Sequence, residues 1–181
     1  IDVSAGTFNE SLIIENKKKP VAVTGAGKDK TTVKPETLIS TGVAHKYDSN
    51  VQAAVFVNNT AEVTISNMAL DGDDKGATAV IFWNDTSGPL ENLKILKPRP
   101  VSGVQTGQGL AVDASSNTIT LTVKNCDFEQ WNKNAIDVVN GNGKTTGGGN
   151  ITVHVDGGTF TGRGSTDANA QNGILFWERA G

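Results

Sequence analysis

Short apolar alternations recur along this chain at a near-constant interval. Five segments open on a small residue and run on as an apolar strand: Ala54-Val55-Phe56-Val57, Ala79-Val80-Ile81-Phe82, Gly109-Leu110-Ala111-Val112, Ala135-Ile136-Asp137-Val138 and Gly173-Ile174-Leu175-Phe176. Each of the first four is followed by a second strand: Val63-Thr64-Ile65, Leu93-Lys94-Ile95, Leu121-Thr122-Val123 and Ile151-Thr152-Val153. A polar turn and a third apolar piece often come next, as in Asn67-Met68-Ala69-Leu70 and Asn125-Cys126-Asp127-Phe128. Such strands are too short for a helix or an independent sheet. One row cannot bury its inward side chains alone. Rows stacked about 4.8 Å apart pair each strand with its counterparts above and below.

The expected fold is therefore all-β, a single-stranded right-handed parallel β-helix of roughly six to seven rungs, occupying residues 1–181 as one domain. An antiparallel sandwich also suits short strands, but gives no reason for the same text to recur. The expected inward columns are Val55, Val80, Leu110, Ile136, Ile174 and Val57, Phe82, Val112, Val138, Phe176. The outward columns are Phe56, Ile81, Ala111, Asp137, Leu175 and Trp83, Asp113, Val139, Trp177. Asn67 and Asn125 fall at matching turns, where side-chain amides can bond along the stack. Segments 102–108 and 140–149 read as loop insertions.

Composition narrows the setting. With 21 Gly and abundant Asn and Thr, the chain favours turns and short strands. A net charge of −3, with no basic run longer than Lys17-Lys18-Lys19, offers nothing to nucleic acid. No apolar stretch is long enough to span a membrane. The chain starts inside a strand pattern at Ile1, which reads as processed or trimmed. Four sequons, at Asn9, Asn58, Asn84 and Asn150, are glycan acceptors if the chain is secreted. Cys126 has no second cysteine to pair with and reads as a small buried hydrophobe.

The opening, Ile1-Asp2-Val3-Ser4-Ala5-Gly6-Thr7-Phe8-Asn9-Glu10 with Leu12-Ile13-Ile14 and Val23-Thr24-Gly25-Ala26-Gly27, resembles the first coils of pectin-lyase-like β-helix proteins, pectinesterases in particular. At the level of rungs the resemblance covers most of the chain, and it implies the fold more than an activity. Ile136-Asp137-Val138-Val139-Asn140-Gly141-Asn142 is similar to the pectinesterase segment that carries the nucleophilic Asp. The family's Gln pair and its Arg-x-Trp have no counterpart; Arg179 follows Trp177 in the opposite order.

Candidate chemistry is sparse. Asp113 and Asp137, outward on consecutive rungs, are the one pair able to divide acid and base roles, which would make the protein a polysaccharide esterase or lyase. Phe56, Trp83 and Trp177 would give sugar rings or a protein partner a surface, as in a glycan-binding or adhesin module, unless a loop covers them. No cofactor is called for. Asp71-Gly72-Asp73-Asp74 gathers oxygens of the kind Ca²⁺ takes but reads as a turn. His45 and His154 lack metal spacing. With no helical period to cap either end, the leading expectation is an extracellular or cell-surface structural subunit that self-associates end to end into a filament or surface layer. Polysaccharide is its other possible partner.

Overall fold

The computed structural model describes all residues except 46–47, 100–104, 116, 141–148, 166–169 and 179–181. The described elements are all strands, arranged in six rungs. The first rung is β1 (Asp2–Val3), β2 (Gly6–Phe8) and β3 (Leu12–Glu15). The second is β4 (Val21–Gly25) and β5 (Thr31–Val33), then an excursion with β6 (Ile39–Ser40), then β7 (Gln52–Asn58). The third is β8 (Val63–Asp71) and β9 (Ala79–Asn84); the fourth is β10 (Gly88–Leu96) and β11 (Gln108–Ala114). The fifth is β12 (Ile119–Lys124), β13 (Asp127–Glu129) and β14 (Asn134–Asn140). The sixth is β15 (Ile151–Asp156), β16 (Phe160–Thr161) and β17 (Asn172–Glu178).

Strands β3, β7, β9, β11, β14 and β17 stack in that order, and the first strands of the rungs stack in a second sheet. Pairing between rungs is parallel, whereas β6 joins β7 antiparallel. This is a parallel β-helix, as the repeat implied.

The second sheet bends into two faces at a column of left-handed turn residues, Asn67, Asn92 and Asn125, with φ of 57°, 51° and 52°. Asparagine tolerates that region better than most L-residues. Its amide also bonds along the stack: Asn92 Nδ2 donates to Asn67 Oδ1 at 2.6 Å. A second such column, Asn16, Asn59 and Asp85, turns the chain out of the other sheet. There Asn59 Nδ2 donates to Asn16 Oδ1 at 3.1 Å.

The core runs through the stack as continuous columns. One is Val55, Ile81, Leu110, Ile136 and Ile174; the next is Val57, Trp83, Val112, Val138 and Phe176. These differ from the expected columns by one residue in the third rung, because Ala53, not Ala54, pairs with Ala79. The slip has a local cause. Ala54 and Val55 both belong to the inner core, as do Val80 and Ile81, so strict alternation fails there. Leu93 and Ile95 also move: they pair with Met68 and Leu70 on the third face, while Leu90 pairs with Ile65 on the second.

Candidate functional site

The outer face of β7, β9 and β11 is apolar, and the excursion between β5 and β7 lies on it. The described part of this strap is residues 39–45 and 48–51. It begins antiparallel to β7, with Ile39 opposite Ala53. Thr41 N–H donates to the Val51 carbonyl at 3.0 Å, and Val51 N–H to the Val43 carbonyl at 2.9 Å. Ile39 and Val43 pack on a cluster of Ala53, Phe56, Ala79, Phe82 and Ala111. Phe56 and Phe82 stack there, with ring centroids 5.7 Å apart. The strap is tied at its far side by Thr78, whose hydroxyl donates to Asp48 Oδ2.

At the strap's tip, His45 projects between two rungs. Its Nδ1 lies 3.2 Å from Asp113 Oδ2 and its Nε2 lies 3.7 Å from Asp137 Oδ2. Phe82 meets the imidazole edge-on at 5.6 Å. Gln108 Nε2 donates to the same Asp137 oxygen at 3.2 Å. His45, Asp113 and Asp137 are all at most 1% exposed. Burial works against a charge on His45, but the hydrogen bonds and charges of Asp113 and Asp137 outweigh it, so its pKa is held above the ordinary 6.5. An imidazolium turns an N–H towards each carboxylate, whereas a neutral ring has only one N–H to give.

No protein-family model, curated protein or solved structure matches this chain. The site must therefore be read from its own geometry.

Asp113 and Asp137 are brought together with His45, and the register sets Asp113 two positions beyond Asp137, since Ala111 is the partner of Asp137. The trio is a buried cluster in this structure. Phe56 is outward, as expected, but 3% exposed beneath the strap. Trp83 is not outward. It stands in the inner column between Val57 and Val112, and its Nε1 donates to the Thr86 carbonyl at 2.6 Å. Phe82 takes the outward place that Trp83 was expected to share. Trp177 sits on the sixth rung beside Val139, half-buried, and with Asn150 and Phe176 it lines an open cavity of about 650 Å³. Arg179 lies outside the described residues.

Of the sequons, Asn9 and Asn150 are exposed. Asn58 is half-buried, and Asn84 is buried with its amide donating to Asn58 Oδ1 at 2.8 Å. A glycan on Asn84 is incompatible with that packing. Asp71 to Asp74 is a turn whose charges are engaged. Asp73 N–H donates to Asp71 Oδ1 at 2.8 Å, Lys34 lies 2.7 Å from Asp73, and Arg163 pairs with Asp74. Burial pushes the Cys126 thiol up to about 11.

His45 was missed as a member of the site because it is 68 residues from Asp113. A legible signal did exist. The second rung carries an insertion with its own apolar residues, Ile39, Val43 and Val51, next to an outer column that needs covering.

Proposed function

We propose that this chain is an extracellular structural subunit, a β-helix of the pectin-lyase-like kind that stacks end to end into a filament or surface layer. One observation carries the reading. On the sixth rung the core columns emerge into solvent: Ile174 is 43% exposed and Phe176 58%, while their partners one rung inward, Ile136 and Val138, are at 0% and 3%. Val155 and Phe160 on the other faces are likewise exposed. An apolar end of this kind supports a contact with another chain.

The first rung offers a complementary surface. Its faces come in the same order as those of the sixth, so β15, β16 and β17 would meet β1, β2 and β3 of the next copy. The columns continue across such a junction in register. Phe160 heads the column that begins at Phe8, Ile174 the one from Leu12, and Phe176 the one from Ile14. An apolar pit of about 150 Å³, lined by Val3, Phe8, Leu12, Val33 and Met68, lies at this rung. Main-chain bonds would add to the burial, as in strand augmentation. A head-to-tail contact that does not close propagates into a filament. The exposed sequons Asn9 and Asn150 suit an extracellular setting.

Negative-stain electron microscopy and sedimentation of the native protein test this. Long uniform fibres are expected, and Phe176→Lys with Ile174→Lys should disperse them while leaving the thermal transition in place. Single particles at every concentration would remove the proposal.

A further inference from the structure

We propose that the end-to-end junction carries a charge gate: Asp156 of one copy comes to lie beside Asp2 of the next, and repulsion between the two carboxylates opposes joining until it is screened or neutralised. The inference rests on the stacking reading above and adds what controls it.

Among the described residues, every large apolar side chain that is exposed lies on the first or the sixth rung. Ile1 and Ile13 are at one end, and Val155, Phe160, Ile174 and Phe176 at the other. A second copy stacked in register accounts for them together. Val155 heads the column of Val123, Leu90, Ile65 and Val23, and Ile1 holds its first place, one position before the pairing of Asp2 with Thr24. Leu175 heads the outward column of Asp137, Ala111, Phe82 and Phe56, which begins at Ile13. Stacking therefore sets Val155 on Ile1, and Leu175 beside Ile13, an outward residue that is 53% exposed.

The same register fixes which charges meet. Next to the Val155 column, an outward column runs Asp2, Thr24, Ser66, Glu91, Lys124, Asp156. Within the chain its members suit their neighbours. Ser66 Oγ donates to Thr24 Oγ1 at 3.2 Å, and Glu91, Lys124 and Asp156 alternate in sign. At the junction that order fails. Asp156 faces the next copy's Asp2 at one strand spacing, about 4.8 Å, and like charges directly opposite on neighbouring strands repel. The first rung's Glu15 meets no such conflict, since its column ends at the uncharged Trp177. Lys124, one rung inward, and the Ile1 amino group, which donates to the Ala22 carbonyl at 2.7 Å, temper the repulsion. The gate is thus several-fold in affinity rather than all or none. Asp2 and Asp156 are both exposed, so salt reaches them and their repulsion follows ionic strength.

The critical concentration for assembly, read by sedimentation of the intact protein at one pH, tests the gate. Sodium chloride is raised from about 10 mM to about 1 M, which shortens the Debye length from about 30 Å to about 3 Å. The wild type should assemble at a several-fold lower concentration in the high salt. In low salt, Asp2→Lys should lower the critical concentration about fivefold and Asp156→Asn about twofold. In high salt these variants and the wild type should converge. Asp2→Lys combined with Asp156→Lys sets like charges together again and should return to the wild-type value or above it. The thermal transition of each dispersed variant is the folding control. An unchanged low-salt critical concentration in Asp2→Lys would overturn the gate, while the fibres would still stand for end-to-end stacking. So would a double variant that assembles as readily as Asp2→Lys. Absence of fibres from every variant at every salt would remove the gate and the stacking together.

Discussion

The outer faces of the two sheets meet opposite surroundings. On β12, Ile119, Leu121 and Val123 are buried while Thr120 and Lys124 are exposed, the alternation of a strand with one wet face. On β11 every position from Gln108 to Ala114 is buried. The difference lies in the strap, which replaces water over β7, β9 and β11. Two aspartates illustrate its effect. Asp127 faces outward on the wet side, 2.5 Å from Lys28. Burial opposes its charge, but hydrogen bonds from Lys28 and Thr159 prevail and hold its pKa below the usual carboxylate range. Asp113 lies under the strap, shut off from solvent, with the His45 imidazole 3.2 Å away. The same residue type is a solvated ornament in one place and a structural commitment in the other.

Substitutions can sharpen that contrast. Asp113→Ala should be the most damaging, at about 3 kcal/mol, because it leaves the buried imidazolium short of a partner. Urea unfolding reads this directly, and a loss under about 1 kcal/mol would mean that the strap face is wetter than its burial implies. Thr78→Val should come next. It removes the hydroxyl bound to Asp48, for about 1.5 kcal/mol, and the effect should appear as faster exchange in residues 39–51 rather than in the core. Asp127→Asn should be mildest, below about 1 kcal/mol, and should shrink further in high salt, as exposed pairs do. If Asp127→Asn proved as harmful as Asp113→Ala, the two faces would not differ in the way argued.

Much of the fold was legible because stacking writes the same text into successive rungs. The inward identity of Leu110, Ile136 and Ile174, and the matched turns at Asn67 and Asn125, follow from that repetition alone. Asn92 escaped notice because its rung was aligned on Leu93-Lys94-Ile95, which belongs to another face. Trp83 was misassigned through the paired inward residues Val80 and Ile81, which shift the alternation by one. The site was half legible. Asp113 and Asp137 stand out as charges on an otherwise apolar face, whereas His45 comes from an insertion outside the repeat, and no spacing rule links an insertion to the rungs it covers.

The reach of His45 has a consequence for folding. A stack held only by neighbouring rungs can fray from its ends one rung at a time. Here a residue of the second rung's excursion is tied to the fourth and fifth, Lys28 of the second rung to Asp127 of the fifth, and Arg163 of the sixth to Asp74 of the third. These ties span rungs that never touch through their strands. The buried contacts of His45 join the middle rungs into one cooperative block that should melt in a single step, and the partly exposed pairs of Lys28 and Arg163 add less. They also make that block slow to assemble, since partners 68 to 99 residues apart must find each other before the ties contribute.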